Sequence, residues 1–388
     1  MSRSRAALIL AATDLRRRLR NRSFVIQAFV GPVVIAVIIS LAFGTGASGF
    51  GATVGLVDAD GSPAAQAFVT GITEAETGDL EFVAVDSVDG ARAEVRDGDL
   101  GAAIVVPDGF AASLQTDAPA DLRILTSSDS AISAEVARAV ATGFTDRANA
   151  GRLAAATALA GGGQMPSADV LGAIELPVQV VTTGTGGDVS PAAYFGPAMG
   201  LLFLFLSVGA IARDLLAEQR IGLLDRVRAG PVRSSAILAG KGLSVLAIGV
   251  TSLLVIWVAT TLGLGADWGD PLGVVLLIAA AALAVAGIAG AIAALARTEQ
   301  SADSLATMVA FLFALVGGAF IPPGDMPAAL QSLSLLTPTG WALRGFAELS
   351  AANGSVSDIA PHVLVLLAWG LGAGVVAARL LPRRLGAG

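Results

Sequence analysis

Six apolar runs, each near the length that crosses a bilayer, constrain this chain more than any other feature: Phe24–Phe43, Ala192–Ala212, Ile237–Leu264, Leu272–Ala296, Leu305–Ile321 and Val363–Leu381. The hydrocarbon core of a membrane is about 30 Å thick, so a spanning helix needs roughly 20 apolar residues. In lipid every backbone N–H and C=O must be bonded within the protein, which leaves helices and closed barrels as the only spanning forms. Long unalternating runs are helices. Charged residues make up 14% of the chain, well below the roughly 25% of a soluble domain. The predicted fold class is a polytopic α-helical membrane protein with six transmembrane helices.

Residues 44–190, between the first and second runs, differ in kind. They hold 20 Asp/Glu against 6 Arg and no run long enough to span. Short β-rich stretches at Thr53–Val57, Phe82–Val85, Ala102–Val106 and Leu122–Leu125 are strand candidates, and Leu176–Thr182 reads as a returning strand. Pro63–Thr73, Val88–Arg96, Phe110–Gln115 and Ala131–Ala158 read as helices, with Gly161-Gly162-Gly163 as the breaker after the last. Asp58-Ala59-Asp60-Gly61 and Pro107-Asp108-Gly109 are turn chemistry. The alternation predicts an α/β domain.

The arginines set the orientation. Of 24 basic residues, 17 fall in the segments on the N-terminal side of six spans, including Arg3, Arg5, Arg16, Arg17, Arg18, Arg20 and Arg22. Basic loops stay in the cytosol, so both termini are predicted cytosolic in a multi-pass plasma membrane protein, and the acidic domain is predicted extracytoplasmic. The expected organisation is a cytosolic amphipathic helix at 1–22, a first span at 23–43, the α/β domain at 44–190, and spans 2–6 within 191–388. That last part carries a cytosolic loop at 213–236 and an outer segment at 322–358. In residues 1–22, Leu8, Ala12, Leu15 and Leu19 fall at helical spacing. Such a helix lies in the interface with its arginines toward anionic headgroups; a plain signal-anchor flank carries the same charge.

Several chemistries are excluded. There is no cysteine and one histidine, His362, so thiolate sites, disulfides and histidine metal clusters are ruled out. The span centres carry no ionisable residue, which argues against ion-coupled transport through buried carboxylates. Gly240-Lys241 is followed by Gly242 and the glycine five positions before Gly240 is replaced by Ser235, so the phosphate-binding loop pattern fails. Asp58 and Asp60 lack the following run of a calcium loop. No cofactor, metal or nucleic acid is expected on this chain. Gly196–Gly200 and Gly370–Gly374 have the G-x-x-x-G spacing of close helix contacts, between subunits or within one.

The stretch Asp214–Lys241 is charged and lies between two spans. Leu216, Leu223 and Val227 fall on one helical face, Gly230-Pro231 reads as the helix stop, and Ser234 or Ser235 can cap the next helix. Its wording, through Glu218, Arg220, Gly222, Leu224, Asp225, Arg226, Arg228, Pro231, Val232, Gly240 and Lys241, resembles the coupling-helix region of ABC-2 type transporter permeases. Gly317–Pro322, Met326-Pro327 and Leu336–Trp341 resemble that family's segment before its last span. The resemblance, which covers essentially the whole chain, implies an exporter subunit of the kind seen in drug-resistance permeases. It would pair with a second copy or a paralogue, sit among membrane lipids, and use a cytosolic ABC ATPase that binds ATP and Mg in its own subunit. It implies a docking helix with contacts from Glu218, Arg220, Gly222, Leu223, Asp225, Arg226, Val227, Arg228 and Pro231. It also implies an N-terminal elbow helix, and an outer re-entrant gate involving Pro322, Pro338, Gly340, Trp341, Arg344 and Glu348, the last two at pairing distance in sequence. The competing reading is a membrane-anchored cell-surface binding module without transport, for which six spans are more than anchoring needs.

Overall fold

The computed structural model describes residues 3–44, 52–73, 80–115, 120–127, 130, 132–145, 178–182, 189–222, 234–351 and 354–385. The chain divides into two units, Met1–Leu41 with Val189–Gly388, and Ala42–Asp188.

The first unit is helical. Helix α1 (Arg3–Leu19) is followed by α2 (Arg22–Val25), a π-turn at Ile26–Val30 and α3 (Gly31–Gly44). Then come α8 (Pro191–Arg220), α9 (Ser234–Leu264), α10 (Pro271–Leu295), α11 (Glu299–Gly317), the short α12 (Ala328–Ser334), α13 (Pro338–Ser350) and α14 (Ala360–Leu385); α4–α7 belong to the second unit.

Five described helices are long and apolar enough to cross a membrane: Pro191–Glu218, Ala239–Leu264, Pro271–Leu295, Glu299–Gly317 and Ala360–Leu380. They match the last five runs. The first run is helical from Arg22 to Gly44, with a π-turn at its start, and its described apolar part is Ile26–Ile39. Gly31 N–H reaches back five residues to the Ile26 carbonyl. Pro32 has no N–H to give the Ala28 carbonyl four residues before it. Ser252 Oγ of α9 donates to that carbonyl instead, so the proline break is repaired by a neighbouring helix, as a bilayer requires.

Small residues set the packing. A Cβ on Gly287 of α10 would lie 2.3 Å from the Gly370 carbonyl oxygen of α14, so those backbones touch. Gly196 faces Trp268 and Thr260, and Gly200 faces Leu253 and Ile256. Three of the four G-x-x-x-G glycines therefore meet atoms of their own chain, while a Cβ on Gly374 would meet nothing within 4 Å. Gly287→Val is expected to push α10 and α14 apart and destabilise the protein by about 1–3 kcal/mol or more. Gly374→Ala is expected to be neutral. Thermal unfolding of the two purified variants distinguishes them.

The second unit is built on a five-stranded sheet of order β2-β1-β3-β4-β5. Its strands are β1 (Ala52–Asp58), β2 (Leu80–Ala84), β3 (Ala102–Val106), β4 (Ala120–Thr126) and β5 (Val178–Thr182), each overlapping a strand expected from sequence. Pairing is parallel for β1 with β2 and β3 and for β4 with β5, and antiparallel between β3 and β4. The central strand β3 is buried at every residue, as a continuous apolar run should be when both faces are covered. Helices α4 (Pro63–Thr73), α5 (Val88–Asp97) and α6 (Phe110–Gln115) follow their strands, and α7 is described over 132–145; the rest of the long helix expected at 131–158 and Gly161-Gly162-Gly163 lie outside the described residues. Ala91 and Val95 of α5 pack on Val57, Ala103, Val105 and Leu125. The paired aspartates are used within the loops. Asp58 Oδ1 accepts from Gly61 N–H at 2.8 Å, and Asp60 accepts from Gly109 and Ala111 N–H at 2.8 and 3.1 Å.

Candidate functional site

Helix α8 does not stop at the end of its apolar run. It continues as one helix through Arg213, Asp214 and Glu218 to Arg220, and it ends where Gly222 takes φ +68°, a backbone state glycine enters without strain. The single docking helix expected across 214–228 is therefore interrupted at Gly222. Its first half is the tail of a span. The spacing of Asp214 and Glu218 puts both carboxylates on one face of that tail.

Two other helices bring charge to that face. Lys241 Nζ of α9 lies 3.0 Å from Asp14 Oδ1 of α1 and 2.9 Å from Glu218 Oε1. Ser244, one turn later on α9, donates to Asp14 Oδ2 at 2.9 Å. On α1, Arg18 Nε donates to Asp14 Oδ2 at 3.1 Å and its Nη2 lies 3.0 Å from Asp214 Oδ2. Arg17 Nη2 is 3.3 Å from both Asp214 Oδ2 and Glu218 Oε1. Three acids thus meet three bases, and the sum is neutral. Asp14 and Glu218 are each 7% exposed and Arg18 4%. Burial alone would raise the pKa of Asp14, but Arg18 and Lys241 outweigh it and hold the carboxyl below its ordinary range.

The same helix end is tied more loosely to α11. Arg213 is 3.5 Å from Asp303 and Arg220 is 3.8 Å from Glu299. Both pairs are largely exposed, so each contributes at most about 1 kcal/mol. The tail of α8 therefore bridges three helices, two through buried ion pairs and one through exposed ones.

The residues expected to form the docking surface fall in different places. Glu218 points into the junction rather than outward. Arg220 is exposed, and Gly222 ends the helix. Leu223, Leu224, Asp225, Arg226, Val227, Arg228, Gly230 and Pro231 lie outside the described residues. Asp14, Arg17, Arg18 and Ser244 were not singled out from sequence. Two signals mark the cluster: Asp14 is the sole acid among the first 22 residues, and Lys241 is the sole lysine of the chain.

The segment before the last span forms a second polar corner. Gly318 ends α11 with φ +97°, and its carbonyl accepts from the Tyr194 hydroxyl of α8 at 2.9 Å. Pro322 is buried and precedes a short turn at Pro323–Asp325, its carbonyl accepting from Asp325 N–H at 3.0 Å. Thr337 caps α13 by accepting from Gly340 N–H at 3.0 Å, with Pro338 in the first turn. A Cβ on Gly340 would lie 2.3 Å from the Ser334 carbonyl oxygen, so only glycine fits there. Trp341 Nε1 donates to the Leu335 carbonyl at 2.7 Å and Arg344 Nη2 to Ser334 Oγ at 2.7 Å. Glu348 Oε2 is 3.5 Å from His362 Nδ1, and the Trp341 ring meets His362 edge-on at 5.5 Å. Most of α13 is buried, and it packs against α8, α10, α11 and α14.

Two comparisons place these features among known proteins. A sequence profile of the family described as ABC-2 family transporter protein matches residues 22–379. The chain is also 28% identical over 184 residues to the linearmycin resistance permease protein LnrN of Bacillus subtilis (strain 168), a match covering 47% of this chain and 48% of that protein. The chain thus spans about half the length of the curated relative it matches.

Proposed function

Because this chain belongs to the ABC-2 transporter family, we propose that it is the permease subunit of an ATP-driven exporter, in which a separate cytosolic ATPase binds ATP and Mg and docks on the 213–236 loop. The observation that carries this reading is the charged junction beside that loop. Docking energy moves a pathway only if the two states differ in their contacts to the element it grips. The tail of α8 is such an element, since a displacement at Gly222 acts through buried ion pairs on α1 and α9 and through exposed ones on α11. The functional unit is a pair of permeases, each with its ATPase. Both termini lie in the cytosol, 44–190 lies outside, and the 322–358 segment narrows the outer mouth.

The cargo in this reading is amphipathic, drug-like or lipid-like. Four of the hydroxyls described within the spans are already used by helix backbone: Ser207 donates to the Phe203 carbonyl, Thr251 to Ala247, Thr260 to Ile256 and Ser252 to Ala28. The exposed side chains of the spans are mostly apolar, so recognition there rests mainly on apolar contact. The name of LnrN, a resistance permease, supports a toxic compound as cargo. Protease added to intact spheroplasts is expected to cut within 44–190 and spare 213–236. Cleavage of the 213–236 loop from outside would invert the topology and remove the docking role.

A further inference from the structure

A cavity of about 440 Å³ opens at the elbow where α1 turns into α2. Its lining includes Arg17, Arg18, Arg20 and Arg213, a single carboxylate, Asp214, and an apolar floor from Phe24. Four guanidiniums face one acid. Arg17 and Arg18 are largely spent on Asp14, Asp214 and Glu218, with Arg18 also stacked on the Phe24 ring at 5.7 Å. The surplus therefore sits on Arg20 and Arg213. Arg213 has Asp303 at 3.5 Å, and Arg20 has no ion pair among the described residues. Guanidiniums grip phosphate oxygens through paired N–H donors. From Ile26, next in sequence to the cavity residue Gln27, Val30, Val34 and Ile38 follow at every fourth position, each about half exposed or more. They form an apolar track leading away from the arginines along the first membrane helix.

We propose that this elbow binds one anionic phospholipid, its phosphodiester between Arg20 and Arg213 and an acyl chain along Ile26, Val30, Val34 and Ile38. An amphipathic basic helix at the interface has a general attraction to anionic lipid; the cavity turns that attraction into a site for a single headgroup. The track decides for lipid over free phosphate, since an inorganic anion has no use for it. The proposal needs the chain to lie in a membrane but does not need the ATPase.

The test is a titration of the purified full chain in neutral detergent with dioctanoyl phosphatidylglycerol, dioctanoyl phosphatidylcholine and inorganic phosphate, read by thermal shift and by native mass spectrometry. Phosphatidylglycerol is expected to bind at least tenfold more tightly than phosphatidylcholine. Arg20→Gln is expected to weaken phosphatidylglycerol at least threefold, and Arg20→Gln with Arg213→Gln at least tenfold. Arg220→Gln, an exposed change outside the cavity, is expected to leave it unchanged. Arg20 is exposed and has no ion pair among the described residues, so its variant is expected to fold and keeps the test decisive. Equal affinity for the two lipids, or wild-type affinity in Arg20→Gln and the double variant, would overturn the site. A shift by inorganic phosphate equal to that of phosphatidylglycerol would show an anion site without a lipid.

Discussion

Lys241→Met is expected to lower stability by about 3 kcal/mol and to abolish transport. The ammonium holds two carboxylates, Asp14 and Glu218, at 3.0 and 2.9 Å. Removing one partner of a buried pair leaves a charge without compensation, which costs roughly 3–5 kcal/mol. Lys241 keeps some exposure, so the lower figure applies. Glu218→Gln added to Lys241→Met should recover much of the loss, because it restores two acids against two bases while Arg18 and Ser244 still serve Asp14. Thermal unfolding of the single and double variants reads this directly, and a double variant no more stable than Lys241→Met would contradict it. The junction also predicts an acid limb. The Asp14 carboxyl is held below its ordinary value, so its stabilising effect is complete above about pH 4, near the unfolded carboxylate pKa. It is lost as the pH falls from there through the folded pKa. Asp14→Asn should flatten that limb at a cost in stability near neutral pH.

Asp225→Arg is expected to release the ATPase without unfolding the membrane unit. The residue lies in the charged loop that follows the α8 tail, between Arg220 and Arg226 in sequence. A change on an exposed surface usually alters stability by within about ±0.5 kcal/mol. Reversing a charge at a desolvated interface costs roughly 2–5 kcal/mol of partner binding, which is more than tenfold in affinity. Leu223→Asp with Val227→Asp should act in the same direction by removing the apolar anchors. Co-purification of a co-expressed ATPase at matched expression measures both. Retention equal to wild type in both variants would move the docking site elsewhere.

The strands and long helices were legible because their signals are local. Ala102–Val106 is a β-branched apolar run closed by Pro107-Asp108-Gly109, and it forms the buried central strand. The five full-length spans follow from apolar length alone. The charged junction was not legible, because Asp14 and Lys241 stand 227 residues apart and only the packing of α1 against α9 joins them. Read singly, Asp14 is one acid in a basic helix and Glu218 one of several loop charges. The end of α8 was misplaced for a different reason. The amphipathic spacing of Leu216, Leu223 and Val227 suggested one helix, but Gly222 takes positive φ and stops it. In the first span, the Gly31-Pro32 pair marks the π-turn, yet the repair of the freed Ala28 carbonyl comes from Ser252 on another helix, which local reading does not reveal.

The central claim is that a separate ATPase drives this chain through the end of α8. Its most direct measurement is quantitative mass spectrometry of what co-purifies with the tagged wild-type chain from native membranes, under gentle solubilisation. The account predicts an ABC ATPase present in near-equal amount to the permease and depleted at least tenfold in Asp225→Arg. A purified chain that carries no ATPase, yet moves its cargo in vesicles without ATP, would contradict it.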